Sequence, residues 1–398
     1  MSISTGWQPI DWANRGGELL ATHPRLAQRL LNRAICGLPS EAIAYYNLGI
    51  GLHQQRRIPA AIRAYRTSLA LPGAPVIEAT NNLSQDLLLQ GCWAEGWELY
   101  EKRFAREPGK TPLLRQHFGE PRSGPFGDGQ PLILMAEQGF GDTLQFCRFA
   151  LVLQSLGHPV RLFCQPALVP LLQEGSGIQQ VSDQLFPPDP AQPAGWLPLM
   201  SAARALAITD RNVPHPGPYL QADPARIAAW RQRLQRQPGK RLIALHWQGK
   251  PGHEHSLYSR GRSMTLADWL PLRQLENVEF LSVQKGEAAA QLEQAHGLPM
   301  VAGQAAFSAT LDFRETAAAL ANCDLLLSSD SGVVHLAGAL GVPTWVALRW
   351  IPEWRWGLSG SRTPWYASLR LFRQQRDGDW AGVVAEITRE IEAEIAAG

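Results

Sequence analysis

Leu325-Leu326-Leu327-Ser328-Ser329-Asp330-Ser331-Gly332-Val333-Val334-His335-Leu336-Ala337-Gly338 is the stretch on which the reading of the fold turns. An apolar run of strand length gives way to small polar residues, and apolar residues then return at helical spacing, which predicts a strand, a tight turn and a helix. Asp330 and Ser331 are N-cap residue types, and Gly332 lets a ligand approach the backbone. Unpaired N–H groups and the helix dipole at such a start favour an anion, which makes the turn a candidate phosphate seat. An ordinary strand-to-helix turn of an α/β domain uses the same residues, so other stretches must decide between the two readings.

The pattern occurs once before. Pro131-Leu132-Ile133-Leu134-Met135-Ala136 has strand length, Glu137-Gln138-Gly139-Phe140-Gly141-Asp142 is a glycine turn, and Thr143 to Phe149 is helical in composition. Gly139 and Gly141 allow a close backbone approach, and Asp142 falls where the helix starts, at the carboxyl end of a parallel strand, the usual ligand edge of open α/β sheets. A carboxylate there is a candidate general base; the alternative is that Asp142 only N-caps the helix. The dinucleotide fingerprint is absent, because Gly139-Phe140-Gly141 lacks a third glycine at the required spacing.

Further strands, at Val160–Cys164, Arg241–Trp247, Glu279–Gln284 and Pro343–Leu348, alternate with helices, which predicts two α/β units joined near Ala222. In the second unit Lys250, Arg260 and Arg262 lie on a loop where they can clamp diphosphate oxygens, or form a solvated basic loop. Gln284-Lys285-Gly286 ends a strand at the same edge. His246, His253 and His255 fit no zinc spacing, and Asp377-Gly378-Asp379, formally a D-x-D pattern, reads as a turn and N-cap before the helix Trp380–Ile395, so no metal is expected. The aromatic residues Trp350, Trp354, Trp356, Trp365 and Tyr366 are expected mainly to pack.

Residues 41–72 place Tyr45, Leu48, Gly49 and Leu52, then Ala61 and Tyr65, as in one tetratricopeptide repeat, with the small Gly49 permitting close helix packing. Asn82–Leu87 and Gly96–Arg103 repeat the layout more weakly, and Gly17–Pro39 is a more degenerate copy. So short an array must lean on the next domain; it reads either as a peptide or acceptor groove or as a structural cap. The expected organisation is a helical array over 1–107, a proline- and glycine-rich linker over 108–130, and Rossmann-like domains over 131–222 and 223–398.

With 398 residues the chain exceeds one core, and 18% charged residues with a formal net charge of +2 give no electrostatic case for nucleic acid. The five cysteines, Cys36, Cys92, Cys147, Cys164 and Cys323, are scattered without C-x-x-C spacing, which favours reduced thiols and a cytoplasmic setting. No leader-like start and no apolar run of about 18 residues predicts a transmembrane segment.

Together, Glu137-Gln138-Gly139-Phe140-Gly141-Asp142-Thr143, the loop Arg260 to Ser263, Gln284-Lys285-Gly286 and Asp330-Ser331-Gly332-Val333-Val334-His335-Leu336-Ala337 resemble the bacterial tetratricopeptide-repeat glycosyltransferases, whose catalytic half is similar to the lipopolysaccharide heptosyltransferases. A more distant likeness is to the O-GlcNAc transferases. The resemblance implies a GT-B fold of two facing Rossmann-like domains, a nucleotide-sugar donor (UDP- or ADP-linked) on the C-terminal one, no cofactor and no obligatory metal. It implies Asp142 as the base, Asp330, Ser331, Gly332 and His335 as the donor-binding turn, and Arg262, more loosely, as a phosphate ligand. The expected reaction is inverting transfer to an acceptor hydroxyl; the acceptor is a protein, a glycan or a lipid-linked molecule, and the array is a candidate site for a protein or peptide acceptor. A non-catalytic scaffold on the same fold is the alternative. The N-terminal repeats and the acceptor side depart from the heptosyltransferase pattern.

Overall fold

The computed structural model describes residues 6–397 except 107, 108, 110, 188, 190, 192, 251, 253, 255–257, 295 and 296. Pro108 of the expected linker, and His253 and His255, thus lie outside the described residues. The chain forms two compact units.

The first comprises residues 1–111 with the short segments 207–210 and 354–358. Helices Pro9–Leu19 and Pro24–Gly37, Ala42–Gln54 and Ile58–Leu69, Val76–Leu89 and Trp93–Tyr100 pack as successive pairs. The first pair begins at Pro9 rather than Gly17, because Pro9 at the first helical turn and the buried Ala13 extend the apolar face backwards. Gly49 behaves as expected: a Cβ there would stand 2.4 Å from Tyr65 Cε1, so only glycine lets the two helices of that pair close. Burial of Ala61 and Tyr65 fills the same interface. Trp97 ties in the outlying segments, packing edge-on against Trp354 at 5.1 Å and donating to the Ile208 carbonyl at 3.2 Å.

The second unit holds two parallel sheets. One has the order β3-β2-β1-β4, from Leu132–Met135 (β1), Val160–Phe163 (β2), Gln180–Ser182 (β3) and Gly195–Pro198 (β4). The other has the order β6-β5-β7-β8-β9, from Arg241–His246 (β5), Val278–Ser282 (β6), Leu325–Ser329 (β7), Thr344–Leu348 (β8) and Leu369–Arg373 (β9). The central strands are buried throughout, as sheets covered on both faces require. In each sheet the chain order reverses once, between β1 and β4 and between β5 and β7; in open α/β sheets ligands generally bind outside the carboxyl ends of the strands at such points.

The second sheet's core includes Trp247, Trp269 and Phe280, all 0% exposed, under helix Trp380–Ala397. Each such side chain contributes roughly 1.5–3 kcal/mol or more on burial. Part of the expected linker is ordered differently: Thr111–Phe118 is a helix whose Leu114 is fully buried with Ile133, Met135, Phe163 and Trp196. Its apolar positions, hidden among the flanking prolines and glycines, cover the first sheet.

Candidate functional site

Both glycine turns sit at carboxyl ends of central strands. After β1, Glu137 turns inward and accepts from the Leu199 N–H at 3.0 Å, closing the switch point between β1 and β4. Gly139 is the N-cap of helix Phe140–Phe146, and Asp142 is its third residue. The Asp142 carboxylate accepts from the Gly139 N–H at 3.1 Å, so it caps from inside the helix while remaining half-buried rather than enclosed. Gly139, rather than Asp142, is thus the N-cap residue, and Asp142 caps the helix from its third position.

After β7, Ser331 is the N-cap of helix Gly332–Leu340, with extended backbone and no side-chain cap bond. Its hydroxyl turns the other way, lying 3.2 Å from His246 Nδ1 and 3.1 Å from Ser328 Oγ. His246 ends β5, and burial pushes its pKa down to about 3, so it is a neutral partner. Asp330 is 7% exposed beside the same helix start.

The two turns meet. A Cβ on Gly141 would lie 3.2 Å from Gly332 Cα and 2.8 Å from His335 Cδ2. Two helix starts from different sheets thus touch through glycine backbone, which places Asp142 next to the Ser331–Gly332 turn. His335, 1% exposed, stands at this junction with Nδ1 2.9 Å from the Tyr366 hydroxyl. Arrangements of this kind can pair proton abstraction on one side with anion binding on the other.

The basic residues are distributed less simply. Lys250 and Arg260 are exposed. Arg262 is held beneath the loop, 3.6 Å from the Glu254 carboxylate. Lys285 turns back to the C-terminal end of helix Gln304–Ser308, donating to the Phe307 carbonyl at 2.7 Å and lying 4.0 Å over the Phe307 ring; burial pulls its pKa down to about 8. Gln284 is 5% exposed and spends its amide on the backbone, accepting from the Trp247 and Gln248 N–H groups at 3.1 and 3.0 Å and donating to the Gln248 carbonyl at 2.9 Å. It splints the segment that leaves β5.

Arg349 was not singled out by the sequence reading. It directly follows β8 and donates to the Arg260 carbonyl at 2.7 Å and to that of Tyr258, tying the basic loop to the strand end. Burial lowers its pKa, while Asp330 and Glu353 nearby favour its charge. Its place immediately after the apolar run Pro343–Leu348 is the signal that could have found it. Asp379 accepts from the Gly382 N–H at 3.1 Å, so the D-x-D stretch is a turn and cap as expected. Among the described residues no helix is long and apolar enough to cross a membrane.

Residues 266–348 match the family model of glycosyltransferase family 9 (heptosyltransferase). The matched stretch runs from before β6 to the end of β8 and contains the Asp330–His335 turn; it includes neither Asp142 nor the helical pairs. Protein FlbA of Caulobacter vibrioides is 26% identical over 388 residues, which is 89% of this chain and 62% of that protein, so the chain spans less than two thirds of this relative's length. Among solved structures, the family 9 glycosyl transferase of Veillonella parvula covers 70% of this chain and 100% of its own at 12% identity, with a TM-score of 0.48. The E. coli ADP-heptose lps heptosyltransferase II covers 67% and 99% at 14% identity, TM-score 0.46, and the Thermobaculum terrenum O-GlcNAc transferase 100% and 92% at 11% identity, TM-score 0.30.

Proposed function

We propose that the protein is an inverting, metal-independent glycosyltransferase of GT-B type that uses a UDP- or ADP-linked sugar. Asp142 takes the proton of the acceptor hydroxyl as that oxygen bonds to the anomeric carbon. The bond from that carbon to the diphosphate oxygen breaks on the opposite face, and the electron pair leaves with the nucleoside diphosphate. Its charge is met by the N–H groups at Ser331–Gly332 and by Arg260 and Arg262, with Lys250 at the loop's exposed edge. Asp330 and Arg349 hold this side in place, and Gln284 and Lys285 support the backbone around it. The helical pairs, read as a tetratricopeptide-like array, serve a protein or peptide acceptor.

The observation that carries this reading is the contact of Gly141 with Gly332 and His335, which sets a carboxylate beside an anion-favouring helix start. Calorimetry with UDP, ADP and GDP, followed by a screen of the matching nucleotide sugars for donor hydrolysis, tests it. Binding of one diphosphate with turnover of its sugar derivative is expected. Binding of none would leave a scaffold built on a nucleotide fold.

A further inference from the structure

A cluster of buried polar groups closes the switch point of the second sheet, next to the seam where the two glycine turns touch. His246 ends β5 and stands opposite Ser328 of β7 in the parallel register, on the two strands between which the chain order reverses. Side chains alternate between the faces of a strand, and Leu245, Trp247 and Leu327 fill the core under helix Trp380–Ala397, so His246 and Ser328 lie on the other face. Ser331 joins them from the turn after β7, and all three side chains are buried.

One order of the protons in this cluster satisfies every contact. Ser328 Oγ lies 2.6 Å from the Ser329 carbonyl, which can only accept, so the single Ser328 proton goes there. Ser331 Oγ lies 3.1 Å from Ser328 Oγ; one of the two must donate, and only Ser331 still has a proton. With that proton spent, Ser331 can only accept from the ring nitrogen 3.2 Å away, so His246 Nδ1 carries a hydrogen. The reverse order, Ser331 donating to Nδ1, leaves two serine oxygens facing each other at 3.1 Å with no hydrogen between them. Burial keeps the ring neutral, and a neutral imidazole protonated on Nδ1 has a bare lone pair on Nε2. No described residue hydrogen-bonds Nε2, and this nitrogen is not sealed from solvent. It opens at the carboxyl end of β5, the edge where ligands bind in open α/β sheets. An atom that only accepts repels phosphate oxygens and takes a group with a proton to give. In a nucleotide sugar whose diphosphate lies at the neighbouring Ser331–Gly332 helix start, the rings on either side of the diphosphate both carry hydroxyls.

We propose that His246 is a further ligand-binding residue, whose bare Nε2 accepts a hydrogen bond from a hydroxyl on a ring bonded to the diphosphate, the ribose or the transferred sugar. The ligand rests on the nucleotide-sugar reading; the proton order does not.

Nitrogen-15 NMR of the protein with labelled histidine tests both parts, the His246 signals being those lost in His246→Gln and in His246→Leu. A neutral ring protonated on Nδ1 is expected; a ring protonated on Nε2, or on both nitrogens, overturns the proton order and with it the proposal. Calorimetry first finds which of UDP, ADP and GDP binds, and that diphosphate and its sugar derivatives are then added at saturation. An Nε2 signal moved by the diphosphate alone assigns the hydroxyl to the ribose, and one moved only by a sugar derivative assigns it to the transferred sugar. A signal moved by neither, on a protein that binds both, overturns the contact. The analogue lacking the assigned hydroxyl should bind the unaltered protein roughly three- to tenfold more weakly than the complete ligand does. Against His246→Leu, where the bond is already gone, the two should bind equally. The same loss on both proteins overturns the contact as well. Failure of every nucleotide to bind refutes the functional reading and the ligand with it, while the ring spectrum still decides the proton order.

Discussion

The two glycine turns share a backbone plan and differ in what they do with the start of the helix. At the first, the Asp142 carboxylate folds back onto the Gly139 N–H, so the helix start already holds a negative charge of its own. At the second, Ser331 occupies the N-cap but gives its hydroxyl to His246 and Ser328, leaving the helix dipole without a side-chain cap. Equivalent strand-turn-helix units therefore differ in charge: one helix start carries its own carboxylate, the other has no side-chain cap. The difference lies in where one polar side chain points.

That contrast is most directly broken at Asp142. Asp142→Asn keeps an acceptor for Gly139 and removes the charge, so turnover should fall by about 10²–10⁴-fold. Nucleotide affinity measured by calorimetry should stay within about twofold, since the proposed diphosphate seat is the other turn. Equal loss of both would show that the turns do not divide the work.

The next test compares the glycines. Gly141→Ala meets Gly332 Cα at 3.2 Å and the His335 ring at 2.8 Å, and should cost about 1–3 kcal/mol in denaturant unfolding. Gly332→Ala meets nothing nearer than the Gly141 nitrogen at 3.5 Å, an ordinary contact, and should be near neutral in stability. Equal costs would mean the seam can spread.

A third expectation concerns His246, the partner that diverts Ser331. Its pKa is lowered by burial from 6.5 to about 3, so below pH 6.5 the unfolded chain binds a proton that the folded one does not. Stability should therefore rise with pH across that window, by at most ~1.4 kcal/mol per unit from this group, and be flat above it. His246→Gln should remove that component of the slope in a pH series of unfolding curves.

The smallest effect is expected at Arg349, which acts only on the second turn's side. Arg349→Ala should weaken nucleotide binding by roughly fivefold by loosening the loop of Arg260, a loss of about 1 kcal/mol. Maximal turnover at saturating donor should change less than affinity does.

Much of this was legible along the chain. Apolar runs of strand length ending in glycine and small polar residues marked both turns, because the strand and helix periods are local properties of the side-chain pattern. Gly49 and Tyr65 were readable for the same reason, their spacing being fixed within one helical pair. Helix Thr111–Phe118 was not, since the flanking prolines and glycines mask a short apolar face that matters only once the first sheet covers Leu114. Nor were the partners of Lys285 and Gln284: both residues lie at the expected strand edge, but their side chains are committed to backbone groups of other segments.

The sequence by itself determined that there are two strand-turn-helix units carrying Asp142 and Asp330–His335, since propensity, capping types and hydrophobic period act over a few residues. Only the tertiary structure decided that the two turns touch, that Ser331 faces His246, and that Arg148 reaches Tyr219 and Trp365 across the seam. Those contacts join residues as many as 217 positions apart, and they depend on how two sheets pack, which no local pattern encodes.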